Sequence, residues 1–227
     1  MKYYQINRSC EPSIIGVNDA SSQVGILNTK TKHSFVNEYE KQYFNDFVNK
    51  NRKDISRAAM DSFVTIDASK IPFIKCFKTK KKVKEVDIMY YMPREVGFDI
   101  VISKKFLDLL EKYKLPDYNK INIRVEDFDT EYYLIGFPLI NASEIDFKKS
   151  IFRASFKEEK YVFNNFEEWK NHFGLKEPES IILKNKFEYD VLKINFGIFF
   201  SQKMVNEIEK MNLKALEVDK DTILECL

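Results

Sequence analysis

The chain has 227 residues, 44% apolar and 15% aromatic, enough to bury a sizeable core in one large or two small domains. Its charged residues nearly cancel to +2, which excludes a global field able to hold a polyanion or an anionic membrane and leaves only local patches. Three widely spaced cysteines (Cys10, Cys76, Cys226) without a CxxC pair suggest neither a disulfide framework nor a zinc site, and no export signal or membrane-length apolar run is visible, so a reduced, cytoplasmic protein without a membrane partner is expected.

In chain order, the opening segment mixes short apolar runs with polar stretches, and Asn18 to Ser22 reads as a loop or turn. From Ser34 the apolar residues Phe35, Val36, Tyr39, Tyr43, Phe44, Phe47 and Val48 recur at helical spacing, with Ser34 placed to cap the helix. Ser62 to Ile66 and Phe73 to Phe77 read as two short strands, with Pro72 between them. The basic run Lys78 to Lys84 interrupts the apolar pattern, and Val86 to Tyr91 resumes it. That run is a plausible hinge between an amino-terminal α/β region (1–85) and the remainder (86–227), although one continuous domain is equally compatible.

Two later segments echo one another. VISKKFLDLLEKYKL from Val101 and FFSQKMVNEIEKMNLKALEV from Phe199 align with Ser103 on Ser201, which makes Lys105/Lys203, Glu111/Glu209, Lys112/Lys210 and Leu115/Leu213 identities. In the first copy a strand (Phe98 to Ile102) ends at Ser103, a structural cap for a helix that buries Phe106, Leu107, Leu110 and Tyr113. Ile121 to Val125 and Tyr132 to Phe137 then flank a polar bend as an antiparallel hairpin. Between the copies, Asn164 to Phe173 reads as a short helix with glutamates in its first turn and Gly174 beyond its end. In the second copy Ile194 to Phe200 is the strand, Ser201 the cap, Met204, Val205, Ile208 and Met211 the buried stripe, and Lys214 to Val218 the closing strand. The fold expected is α+β, a mainly antiparallel sheet with a few helices, its carboxy-terminal part built from two related strand–helix–strand units.

Catalytic patterns are sparse. The two histidines, His33 and His172, stand outside any nucleophile signature, and a helix-end role satisfies His172. Glu167 and Glu168 point apart on a helix, and Asp127 and Asp129 lack the other ligands of a calcium loop. Six scattered glycines make no phosphate loop, so no cofactor is implied. The lysines of the 78–84 run could meet phosphates with Phe77 stacking a base, but the near-neutral total favours a solvated loop. Paired tyrosines at Tyr3-Tyr4, Tyr90-Tyr91 and Tyr132-Tyr133 each place one ring in the core and one outside when in a strand. Asp146 and Ser150, four residues apart, read as a structural turn in which the carboxylate accepts from nearby amides and the serine.

Ile102-Ser103, Tyr132-Tyr133, Ile145-Asp146-Phe147 with Ser150, and Phe200-Ser201 through Val218 stand in an order that resembles the immunity proteins of bacterial polymorphic-toxin systems, specifically the eleventh immunity family with its myxobacterial immunity domain. The resemblance covers roughly 86–218, and the amino-terminal third shares only an opening tyrosine-bearing strand. Where that family often has a glycine before the closing strand, this chain has Lys214-Ala215. The resemblance implies a cytoplasmic antidote that binds a cognate toxin domain and catalyses nothing, with neither metal nor cofactor. The alternatives are a small-ligand-binding protein or hydrolase using a cleft between the two repeat units, and nucleic-acid binding through Lys78 to Lys84.

Overall fold

Alternation builds the strands: in Asn119–Val125 every second side chain is buried, leaving Lys120, Asn122 and Arg124 on the other face. The computed structural model describes residues 1–18, 21–154, 159–172, 174 and 176–226. Its elements begin with β1 (Lys2–Arg8), α1 (Pro12–Ile15), β2 (Val24–Gly25), α2 (Glu38–Lys53) and β3 (Ile74–Lys78). There follow β4 (Ile88–Met89), β5 (Tyr91–Met92), β6 (Ile100–Ser103), α3 (Lys104–Leu110), β7 (Asn119–Val125) and β8 (Tyr132–Gly136). The chain continues through β9 (Ile151–Ala154), β10 (Lys160–Tyr161), α4 (Phe166–Asn171), β11 (Lys176–Leu183), β12 (Val191–Ile194), β13 (Gly197–Ser201), α5 (Gln202–Met211) and β14 (Leu216–Cys226). The fold is α+β with mainly antiparallel pairing.

Two compact units divide these elements. One comprises Met1–Asn7, Leu139–Met211 and Val218–Leu227, the other Arg8–Pro138 and Asn212–Glu217, so Glu85 and Val86 both lie in the second. Among the described residues the first holds a sheet in the order β10-β9-β11-β14-β1-β13-β12, and the second a sheet in the order β5-β2-β3-β7-β8-β6-β4. These orders match strand for strand. They share a parallel pair at the same place, β11 with β14 and β3 with β7, and antiparallel pairs at β9/β11 and β2/β3, at β12/β13 and β4/β6, and at β1/β13 and β8/β6, while the outer pair differs, β5 running parallel to β2 and β10 antiparallel to β9. Chain order matches too, from β2-α2-β3 against β9-α4-β11 through β6-α3-β7 against β13-α5-β14. Two slots break the chain order: the outer one, where β10 follows β9 directly but β5 follows β4, and the one filled in the second unit by β8, directly after β7. In the first unit it holds β1, from the opposite end of the sequence.

Several boundaries depart from expectation. Helix α2 starts at Glu38 because Asn37 caps it, accepting from Glu40 N at 2.9 Å while the Glu40 carboxylate accepts from Val36 N. Ser34 is instead consumed by the loop, its hydroxyl accepting from Leu27 N and donating to Leu27 O, each at 2.9 Å. Residues 62–66 form no strand: a 3₁₀ turn ends at Ser62, and Ile66 N donates to the Asn119 side chain rather than to a ladder. The segment 194–200 is split, because Ile194 closes β12 and Gly197, at φ 144°, opens β13 across a tight turn. Of the expected loop at 18–22, Asp19 and Ala20 lie outside the described residues, as does Phe173 at the end of the expected third helix. Packing is strongly aromatic: Phe98 lies 5.7 Å from Phe44 and 5.9 Å from Phe47 in the second unit, and Phe152 lies 5.4 Å from Phe163 and 5.7 Å from Phe196 in the first.

Strand β14 begins only at Leu216, since Asn212 (φ 47°) and Ala215 (φ 64°) both turn left-handed before it. Ala215 occupies the turn where the resembling family often has glycine, and its Cβ is strained there. Ala215→Gly is expected to raise stability by about 0.5–1 kcal/mol, the relief of strain outweighing the added freedom of the unfolded chain; a urea titration measures it, and a loss of stability would contradict the strain.

Candidate functional site

Strand β6 ends at Ser103 because the chain must turn from ladder to helix, leaving the first amides of α3 without partners. The fully buried Ser103 hydroxyl accepts from Phe106 N at 3.2 Å and donates to Asp87 Oδ1 at 2.5 Å. Backbone pairing supports this, with Ser103 N donating to Asp87 O at 3.0 Å. Tyr132, opposite Ser103 in β8, sends its hydroxyl to Val86 O, the carbonyl just before Asp87, at 3.0 Å. The other oxygen of Asp87 accepts from Lys214 N at 2.7 Å.

The first unit builds the same arrangement. Ser201 donates its hydroxyl to Asp190 Oδ1 at 2.7 Å and its backbone N–H to Asp190 O at 2.8 Å. Tyr3, opposite Ser201 in β1, donates to Tyr189 O, the carbonyl just before Asp190, at 2.9 Å. One partner differs: Lys203 Nζ lies 2.9 Å from Asp190 Oδ2, where Asp87 has the Lys214 amide. Burial pushes both phenols, Tyr3 and Tyr132, well above the ordinary tyrosine value, so they remain neutral donors.

A half-open cleft of about 300 Å³ adjoins Asp87, between Glu85, Lys105, Thr130 and Lys214. Hydrogen bonding from Thr130, whose backbone N–H lies 2.7 Å from Glu85 Oε1, holds the Glu85 carboxyl below its usual range. Its carboxylate is therefore ionised near neutrality and donates no proton. In each set the serine hydroxyl donates to a carboxylate whose second oxygen also has a partner, so the arrangement fixes the local geometry.

Other candidate residues stand apart from these sets. Asp146 and Ser150 do form a turn, but the Ser150 hydroxyl donates to the Asp146 backbone carbonyl at 2.8 Å while accepting from Ile182 N at 3.0 Å. The Asp146 carboxylate faces Lys149 at 3.5 Å, because the carbonyl sits one turn behind the serine and reaches it first. Within the basic run, Lys78 pairs with Asp127 at 2.7 Å and Lys84 donates to Ser13 O, leaving Lys80, Lys81 and Lys82 exposed on a turn. Glu168 completes the cap of α4, accepting from Asn164 N at 2.7 Å while Asn165 accepts from Glu168 N. His172 ends that helix, its ring 4.9 Å from Tyr161, and His33 is exposed in the loop before α2.

No family model matches the chain, and no curated protein matches it. Sequence reasoning gave the two aspartates no role and Tyr3 only a place among the paired tyrosines, although signals linking them exist. Val86-Asp87-Ile88-Met89 and Tyr189-Asp190-Val191-Leu192 share a bulky residue, an aspartate and two apolar residues, while Tyr3-Tyr4-Gln5-Ile6 and Tyr132-Tyr133-Leu134-Ile135 share Tyr-Tyr-x-Ile.

Removing either hydroxyl leaves a buried carboxylate short of a donor, so Ser103→Ala and Ser201→Ala are each expected to destabilise by about 1–3 kcal/mol, read as shifts in urea midpoint. The depressed Glu85 carboxyl contributes stability above the ordinary glutamate range that is lost as pH falls through its folded value. Glu85→Gln should therefore flatten the acid limb of the stability curve relative to the parent protein; an unchanged limb would contradict the Thr130 contact.

Proposed function

We propose that the chain is an immunity protein, a cytoplasmic antidote that neutralises a cognate bacterial toxin domain by direct protein–protein binding and catalyses no reaction. The observation that carries this reading is the closed state of the two Asp–Ser–Tyr sets. The serines on which the family resemblance rests are spent on joining a hairpin to a helix, so the shared motif builds a scaffold. A scaffold of this kind acts through the surface it presents.

A structural point fits a soluble antidote: among the described residues no helix is long and apolar enough to cross a membrane. Recognition would then depend on shape and charge complementarity, which set association rate and partner choice.

Co-expression with the carboxy-terminal domain of the large protein encoded beside it tests the proposal. The expected outcome is restored growth of cells making that domain and a complex that co-purifies. Absence of both protection and complex with every adjacent toxin domain would overturn it.

A further inference from the structure

The outward face of β3 and β7 carries two cations side by side. In the parallel register of these strands Lys75 stands opposite Arg124, while Ile74, Cys76, Ile123 and Val125 turn into the core. Like charges directly opposite one another destabilise a strand pair. Neighbouring cations of the same unit are each given an acid: Lys32 has Glu126 at 3.5 Å, Lys78 has Asp127 at 2.7 Å and Lys120 has Glu111 at 2.6 Å. Lys75 and Arg124, both exposed, have no such partner among the described residues.

Aromatic rings hold the two cations in place. The Arg124 guanidinium lies 4.0 Å from the centre of the Phe73 ring, and Lys75 Nζ lies 5.4 Å from Phe77, whose ring Lys32 also approaches at 4.6 Å. Such anchoring lowers the ordering cost of binding.

We propose that this face of the second unit docks an acidic polypeptide segment of the partner, its carboxylates engaging Lys75 and Arg124. The proposal rests on the toxin-binding reading for the partner's identity and on the cation pair for its chemistry. Arginine is among the residues enriched at protein interfaces, and here it is held in place over an aromatic ring. Nucleic acid fits less well. Phe77 is 3% exposed and Phe73 lies under Arg124, so no base can stack on either.

The test uses the full chain, a labelled poly-glutamate peptide and a labelled single-stranded oligothymidylate, with binding followed by fluorescence anisotropy at low salt. The parent protein should bind the peptide, Lys75→Glu/Arg124→Glu should lose at least about tenfold in affinity, and a control pair on the exposed turn, Lys81→Glu/Lys82→Glu, should lose less than about threefold. Lys75→Gln/Arg124→Gln should give an intermediate loss, with unchanged thermal melts showing that the fold is retained. No peptide binding by the parent, equal loss in both pairs, or tighter binding of the oligonucleotide would each overturn the proposal. Capture of the adjacent toxin domain separates the two readings. If parent and Lys75→Glu/Arg124→Glu capture it equally, the docking face is wrong and the antidote reading stands; if only the parent captures it, both stand. If neither does, the antidote reading fails and the peptide titration alone decides the face.

Discussion

A buried serine hydroxyl hydrogen-bonded to a buried aspartate is the constraint on which each unit depends. An isolated carboxylate inside a protein is costly, and these two persist because donors surround them: a hydroxyl on one oxygen, and a backbone amide or a lysine on the other. The carboxylate must sit beside the end of the next strand, the strand must end where a helix starts, and a tyrosine from a third strand must cover the join. One charge therefore ties together a hairpin, a helix start and a neighbouring strand. Ser103 binds this group to the helix directly, since its hydroxyl accepts from the Phe106 amide while donating to Asp87.

The same solution appears twice because the units share one plan. Their sheets run in the same order with their parallel pair in the same place. Differences fall where the plan is least constrained. The outer strand β5 runs parallel to its neighbour while β10 runs antiparallel, and the second oxygen of each aspartate has its own partner. The echo between Ser103 and Ser201 is thus the visible part of a longer correspondence, one that extends from β2 to β8 in one unit and from β9 to β14 plus β1 in the other.

What the sequence made legible was local. Helical stripes with a serine before them, the 119–136 hairpin and the short helix after Asn165 each follow from spacing within a dozen residues. Competition among nearby signals was harder to resolve: Ser34 and Asn37 are both good caps, and only the tertiary demand of Leu27 assigns Ser34 elsewhere. Strand β11 begins with charged residues and carries Pro178 at a bulge, so propensity hid it. The aspartates escaped because Asp87 meets Ser103 sixteen residues on, across a hairpin, where no periodicity links them. Tyr3 lies at the far end of the chain from Ser201, and only the repeated Tyr-Tyr-x-Ile hints that the two belong together.

The placement of β1 bears on the order in which the molecule is made. In the second unit β8 follows β7 through a short bend, so that ladder closes as soon as its residues emerge. The first unit has its tyrosine strand β1 synthesised well before its partners β13 and β14. Contacts of such sequence separation form late and slowly. A growing chain therefore carries an unpaired strand bearing Tyr3, Tyr4 and Ile6 until β13 has been made. Until β13 arrives, that edge is the part of the molecule most open to pairing with the wrong strand.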